Sequence, residues 1–173
     1  MPSASLYRAI IFCAIIAAIS SCKPDYYFEE STALDQNTWT YANTLNYTIP
    51  IRDTQNVYNI YLNIDHSAEY AYQNIYLMIH TSYPSGEKIS ERLPIDFADK
   101  TGLWYGKCDN DFCQLSVNLQ KDAFFNAVGD YTISVEQFMR IDSLTGIKNI
   151  ALILEDTGRK RSQESGVGSQ EAN

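Results

Sequence analysis

The sequence predicts an all-β fold, a two-sheet antiparallel β-sandwich of about eight strands with one short helix. Three observations carry that expectation. Apolar and polar residues alternate with a period of two along most of the chain, the mark of strands with one buried face. Turn-forming clusters separate these runs, among them Pro84-Ser85-Gly86, Thr101-Gly102, Asp109-Asn110-Asp111 and Val128-Gly129-Asp130. Strongly apolar runs buried on both faces, which a helix-covered parallel sheet requires, are not expected from this pattern.

The strands follow in order. Leu45, Tyr47, Ile49 and Ile51 alternate with Asn46, Thr48 and Pro50. Tyr58, Ile60, Leu62 and Ile64 alternate with Asn59, Tyr61, Asn63 and Asp65. In the next run Ile75, Leu77 and Ile79 share one face, with Tyr76, Met78 and His80 on the other. Ile89, Leu93, Ile95 and Phe97 keep even spacing, although Glu91 interrupts their face. Cys113, Leu115, Val117 and Leu119 are interleaved with Gln114, Ser116 and Asn118. Tyr131, Ile133, Val135 and Met139 continue the alternation, and Ile150, Leu152 and Leu154 close it. Gly129-Asp130-Tyr131 places a tyrosine at a strand entry just after a turn, the arrangement of a tyrosine corner. Lys121 to Val128 is the stretch that reads as helical, a single short crossover.

The flanks carry different signals. Arg8 precedes an 11-residue apolar run, Ala9 to Ile19. A bilayer-spanning helix needs roughly 20 such residues, so the run fits the core of a secretory signal. It ends in Ile19-Ser20-Ser21-Cys22, which resembles the bacterial lipobox. Small side chains there admit the backbone to a peptidase cleft, and the thiolate of Cys22 is the nucleophile that accepts lipid. The chain is therefore expected to divide into a signal peptide (1–21), a polar tether from an acylated Cys22 (22–38), the sandwich (39–156) and a disordered tail (157–173) rich in Gly, Ser and Gln.

Charge narrows the partners. Lys and Arg number 13 against 21 Asp and Glu, a net charge of −8. Residues 1–21 hold Arg8 and no acid, so the chain from Cys22 onward carries 12 basic and 21 acidic groups. An acidic body of this kind is a poor ligand for nucleic acid, whose phosphates need a basic face. Electrostatic attraction to anionic lipid cannot be what anchors it, so anchorage falls to acyl chains.

Candidate chemistry is sparse. With 2 His, acid–base and metal chemistry near neutral pH have few carriers. His66 and His80 lack metal-spaced or triad-like neighbours and are expected on the surface. Asp96 and Asp99 are candidates for a carboxylate pair of the glycosidase kind, but Phe97-Ala98-Asp99-Lys100-Thr101-Gly102 also reads as a strand end and turn, where Asp serves the backbone. Asp109, Asn110 and Asp111 offer oxygens to Ca²⁺ without the longer acidic pattern of a calcium loop. Cys108 and Cys113 flank that loop, either as a disulfide across a hairpin or as two free thiols. A lone pair with scarce His does not make a zinc site, and neither metal nor cofactor is expected. Tyr is in excess, at 13 residues. Tyr70, Tyr72, Tyr76 and Trp104 either line sandwich strands or form a partner surface, since such rings dominate interface hot spots.

Several segments now carry a resemblance. They are Tyr70-Ala71-Tyr72-Gln73-Asn74-Ile75-Tyr76, Asp99-Lys100-Thr101-Gly102-Leu103-Trp104-Tyr105-Gly106, Gly129-Asp130-Tyr131, and the stretch Glu136-Gln137-Phe138-Met139-Arg140-Ile141-Asp142-Ser143-Leu144-Thr145-Gly146-Ile147. Following the lipobox at Cys22, they resemble the GldH family of gliding motility lipoproteins of Bacteroidetes, from Cys22 to about Glu155. The resemblance implies a non-enzymatic accessory of the gliding machinery, linked in those bacteria to type IX secretion. It transfers one residue role, acylation, onto Cys22. The Cys108/Cys113 pair and the basic-then-polar tail stand outside it.

The expectation is thus a lipid-anchored protein of the cell envelope, on the periplasmic face of the outer membrane, held through Cys22 and working by contact with protein partners of the gliding and secretion machinery. The alternative is a cell-envelope glycan-binding module, which needs a flat platform of aromatic rings. Carboxylate-pair hydrolysis through Asp96 and Asp99 is a third reading.

Overall fold

A computed structural model describes residues 26–161, which places the signal segment and Cys22 outside the described residues. Two antiparallel sheets face each other. The larger has the order β1 (Tyr26–Ala33), β11 (Ile147–Lys160), β4 (Asn56–Ser67), β8 (Phe112–Ala123), β7 (Lys107–Cys108). The smaller has the order β3 (Leu45–Ile51), β9 (Gly129–Gln137), β5 (Asn74–Ser82), β6 (Lys88–Asp96). A short ribbon of β2 (Thr38–Thr40) and β10 (Ser143–Thr145) pairs the buried Trp39 with the buried Leu144.

The alternation becomes the core. Ile60, Leu62 and Ile64 of β4 and Ile150, Leu152 and Leu154 of β11 are buried beneath Tyr47, Ile49, Ile75, Leu77 and Val135 of the smaller sheet. Each such side chain contributes about 1.5–3 kcal/mol on leaving water. Tyr47 also ties the sheets together, its hydroxyl donating to the Ile150 carbonyl at 2.9 Å. Burial pushes that phenol's pKa up, so it remains a donor.

Four expectations need correction. The segment expected to be a tether is ordered from Tyr26 onward, because β1 completes the edge of the larger sheet, with Glu29 opposite Ile153 and Ser31 opposite Ala151. An edge strand needs only one side paired, so polar residues suffice. Residues 157–160, expected in the tail, are strand instead: β11 runs to Lys160, held by the Thr157 hydroxyl on the Val57 carbonyl (2.7 Å) and by Lys160 beside Asp53 (3.3 Å). Residues 162–173 lie outside the described residues. The helix expected over Lys121–Val128 does not form. Lys121–Ala123 finish β8, Asp122 takes a left-handed φ of 54°, and Phe124–Val128 form a loop. An eight-residue helix is weakly favoured alone, and here Ala123 pairs with Tyr58 while the Phe125 ring packs on Tyr58 and Tyr131. Finally, β11 is buried on both faces from Ile150 to Leu154. It is an inner strand, and Ile153 lies in register between Glu29 and Tyr61, whose side chains shield its outer face.

The registers define two ends. Tyr26 opposite Glu155, Ala123 opposite Tyr58, Gly129 opposite Ile51 and Lys88 opposite Ser82 gather the first and last described residues, Tyr26 and Arg161, and the loops 52–55, 83–87 and 124–128 at one end, the terminal end. The loops 41–44, 68–73, 97–106 and 138–142 gather at the other, the cleft end. Rings span the terminal end from Tyr27 to Tyr58 (5.0 Å between centroids), Phe125 (5.7 Å), Tyr131 (4.7 Å) and Tyr83 (5.6 Å). Tyr131 makes the corner its position suggests: its hydroxyl donates to the Ala127 carbonyl (3.2 Å) and accepts from the Ala127 N–H (3.3 Å). Gly129 is required there, since its φ is +130° and an added Cβ would lie 2.9 Å from Pro84.

Candidate functional site

The aromatic residues singled out from sequence do not form one surface. Tyr70 is buried in the core, 5 % exposed, between Phe97 (5.3 Å) and His66 (5.8 Å). Trp104 is half-buried, with its indole N–H donating to the Ala68 carbonyl at 3.1 Å. Both are therefore corrected from partner surface to loop support: Tyr70 because its ring fills the gap under loop 68–73, Trp104 because it pins that loop. Tyr72 and Tyr76 are exposed, at 40 % each.

Tyr72 and Tyr76 belong to a cleft of about 960 Å³ that they share with Tyr41, Phe138, Arg92 and Arg140. Its floor is built by the turn after β9. Parity along β9 directs Tyr131, Ile133 and Val135 inward, and Gln137 falls on the same side, 2 % exposed. An amide buried there must find partners. Its Nε2 donates to the Ile141 carbonyl and its Oε1 accepts from the Met139 N–H, both at 2.9 Å. That folds residues 138–141 back on themselves. The Phe138 N–H donates to the Tyr76 carbonyl at 2.7 Å, and the Tyr41 hydroxyl donates to the Met139 carbonyl. Arg92 lies 5.7 Å from the Phe138 ring centre, in range for a cation–π contact. The cleft thus offers rigid rings, apolar Met139 and Ile141, and two guanidinium groups against the single carboxylate of Glu136. Such a surface suits an apolar side chain flanked by an acidic group.

Tyr41, Arg92, Gln137 and Phe138 were not singled out from the sequence. Gln137 carried a signal, a polar residue at an inward parity position, and Phe138 stands in the segment that carried the family resemblance.

The remaining candidates are structural. His66 is not on the surface but fully buried, stacked on Phe97 (4.5 Å, 10° between planes) with Trp104 edge-on at 4.9 Å. It continues the inward face of β4 beyond Ile64. Its Nδ1 meets the Ser67 carbonyl at 2.9 Å, while Nε2 has no hydrogen-bond partner. Burial pulls its pKa down, so the ring is neutral near pH 7 with Nδ1 as the donor. His80 is half-buried, with Ser90 at 2.7 Å and Glu136 at 3.6 Å. Asp99 closes its turn, its Oδ1 accepting from the Thr101 hydroxyl (2.7 Å), the Thr101 N–H (2.7 Å) and the Leu103 N–H (3.0 Å). These bonds, that from the Thr101 hydroxyl foremost, hold its carboxyl below the usual range. Asp96 is exposed at the end of β6. Asp109 caps the β7–β8 turn in the same way, accepting from Phe112 (2.7 Å) and Asp111 (2.8 Å). Cys108 and Cys113 are bridged across that pair of strands. Among the described residues no group of three or more His, Cys, Asp or Glu is placed to hold a metal ion.

Fold and site together define a class, an antiparallel β-sandwich carrying an aromatic cleft at one end. Residues 26–153 match the family model described as GldH lipoprotein, and the chain belongs to that family. It is 26 % identical over 158 residues to the gliding motility lipoprotein GldH homolog of Christiangramia forsetii, covering 87 % of this chain and 96 % of that protein. It is 23 % identical over 150 residues to the gliding motility lipoprotein GldH of Flavobacterium johnsoniae, covering 82 % and 92 %. Among solved structures, TmCBM61 in complex with β-1,4-galactotriose aligns over 78 % of this chain and 82 % of that one, at 11 % identity and a TM-score of 0.28. A score that low carries no argument about ligand.

Proposed function

We propose that the protein is a lipid-anchored, non-enzymatic component of the gliding motility apparatus and of the secretion system linked to it, working by contact. It is tethered in the cell envelope through acylated Cys22, on the periplasmic face of the outer membrane. The observation that carries the contact role is the cleft: exposed Tyr41, Tyr72, Tyr76 and Phe138 on a floor fixed by the buried Gln137. Stiff, exposed rings over a preorganised backbone lose little entropy on binding, which is what a protein–protein hot spot requires. The motility setting comes from the relatives, which are gliding motility lipoproteins. A glycan platform fits less well, since Tyr70, one of the rings it would use, is buried in the core and Trp104 is half-buried.

The test is the double variant Tyr72→Ala with Phe138→Ala in the native host. Both side chains are exposed, so the melting temperature is expected to stay within a degree or two of the parent. Crosslinked partners and colony spreading are expected to be lost. A stable double variant that keeps its partners and its motility removes the cleft from the account. Anchorage is read separately: Cys22→Ala is expected to leave the membrane fraction.

A further inference from the structure

The terminal end has a chemistry unlike the rest of this acidic chain. Arg52, Lys88, Lys121, Arg159, Lys160 and Arg161 belong to it beside the acids Asp53, Glu87, Asp122, Asp130 and Asp156, with Arg159 paired to Asp122 and Lys160 to Asp53 (3.3 Å), so its charge is nearly balanced. The cleft end carries Glu69, Asp96, Asp99, Asp109, Asp111 and Asp142 against Lys100, Lys107 and Arg140, an acidic excess. Among these basic residues stand exposed apolar side chains: Val128 (60 %), Phe124 (46 %) and Tyr26 (37 %). Arg161 lies over the Phe124 ring at 4.1 Å and reaches Asn126 at 3.2 Å, so guanidinium and ring are presented together. Beside Phe124 a groove of about 330 Å³ opens between the sheets, lined by Ile89 and Leu119.

Geometry adds a second constraint. Tyr26 begins β1 at this end, four residues after Cys22. Four extended residues span at most about 14 Å. The cleft end is a 12-residue strand away, β4 spanning roughly 35–40 Å. An anchor at Cys22 therefore holds the terminal end at the headgroup layer whatever the body does. Lying flat would press Glu29 and Asp65 of the larger sheet against anionic headgroups. Standing on the terminal end sets Arg161, Lys88 and Lys121 near the phosphates and the exposed rings at the depth where aromatic side chains settle.

We propose that the terminal end is a bilayer-facing surface for anionic phospholipid, with Phe124, Val128 and Tyr26 entering the interfacial layer and Arg161, together with Lys88 and Lys121, contacting phosphates. The acyl chains anchor and this surface orients, so that the aromatic cleft points away from the membrane. The inference rests on the proposed acylation of Cys22.

The test uses the full acylated chain in vesicles of phosphatidylcholine with or without phosphatidylglycerol, with an environment-sensitive fluorophore on an introduced cysteine. Val128→Cys reports the terminal end and Leu103→Cys, 71 % exposed in parent form, reports the cleft end. With phosphatidylglycerol the label at 128 is expected to shift to the blue and become several-fold less accessible to an aqueous quencher, while the label at 103 does not change. Adding Phe124→Ala and Arg161→Ala should abolish the protection at 128 with the protein still in the membrane fraction. Equal accessibility of the two labels, or protection at 103 alone, overturns the proposal. Failure of the anchor reading looks different, as a chain recovered in the soluble fraction. The same labels are then read on that chain added to phosphatidylglycerol vesicles, where absence of protection at 128 overturns the proposal as well.

Discussion

At the terminal end, rings from Tyr27 to Tyr83 cross the gap between the sheets, and two of their hydroxyls fasten main chain, Tyr27 to Pro50 at 2.6 Å and Tyr131 to Ala127. At the cleft end, Phe97, Tyr70 and Trp104 instead enclose the His66 ring, and a buried amide, Gln137, shapes the turn that lines the cleft. One end is closed by phenol and benzene rings. The other is closed around an imidazole whose pKa burial pulls down. The comparison teaches that two sandwich ends can both be sealed with aromatic rings yet be given different sensitivity to their surroundings.

The largest expected effect separates the ends by burial. Phe97→Ala removes a fully buried ring stacked on His66 and should cost about 3–5 kcal/mol in urea denaturation. Phe125→Ala, at the half-buried partner position of the terminal end, should cost well under that. Equal losses would erase the contrast. Gln137→Ala strands the Met139 N–H and the Ile141 carbonyl and should cost about 2 kcal/mol, with faster amide exchange confined to residues 138–141. Tyr131→Phe, which removes only the corner hydroxyl, should cost about 1 kcal/mol.

The smallest effect is the one with a sign. The folded pKa of His66 is lowered by burial, so below the unfolded value of about 6.5 the unfolded chain binds a proton that the fold resists. Its contribution to stability is present above about pH 6.5 and is lost as the pH falls toward the folded pKa. Denaturation midpoints measured between about pH 7.5 and 5.5 should therefore drop, and His66→Phe should flatten that part of the profile. A slope unchanged in His66→Phe would show that the two ends respond alike.

Strand existence and facing were legible because alternation is a local property: Leu45 to Ile51 and Tyr58 to Ile64 occupy the faces their parity assigns. What was hidden depended on distant partners. Tyr26–Ala33 reads as polar linker until Ile153 and Ala151 are placed beside it, and Phe124–Phe125 reads as helix until Tyr58 and Tyr131 claim the rings. The cleft was legible in part. Tyr72 and Tyr76 drew notice by composition, whereas Tyr41 and Arg92 join them only through tertiary folding. His66 was misplaced because Asp65-His66-Ser67 looks solvated, although its parity with Ile64 points inward.

The pairing of β11 has a temporal consequence. The last long strand lies between the first strand and β4, so the larger sheet lacks an inner member until residues near 150 are available. A chain delivered N-terminus first, from a ribosome or through a narrow pore, cannot lock this sheet while threading is under way. Its edge strand waits unpaired and its core half-built, and closure of long-range pairs comes late. The arrangement makes the polypeptide compliant during delivery and commits it to its final shape only near the end of passage.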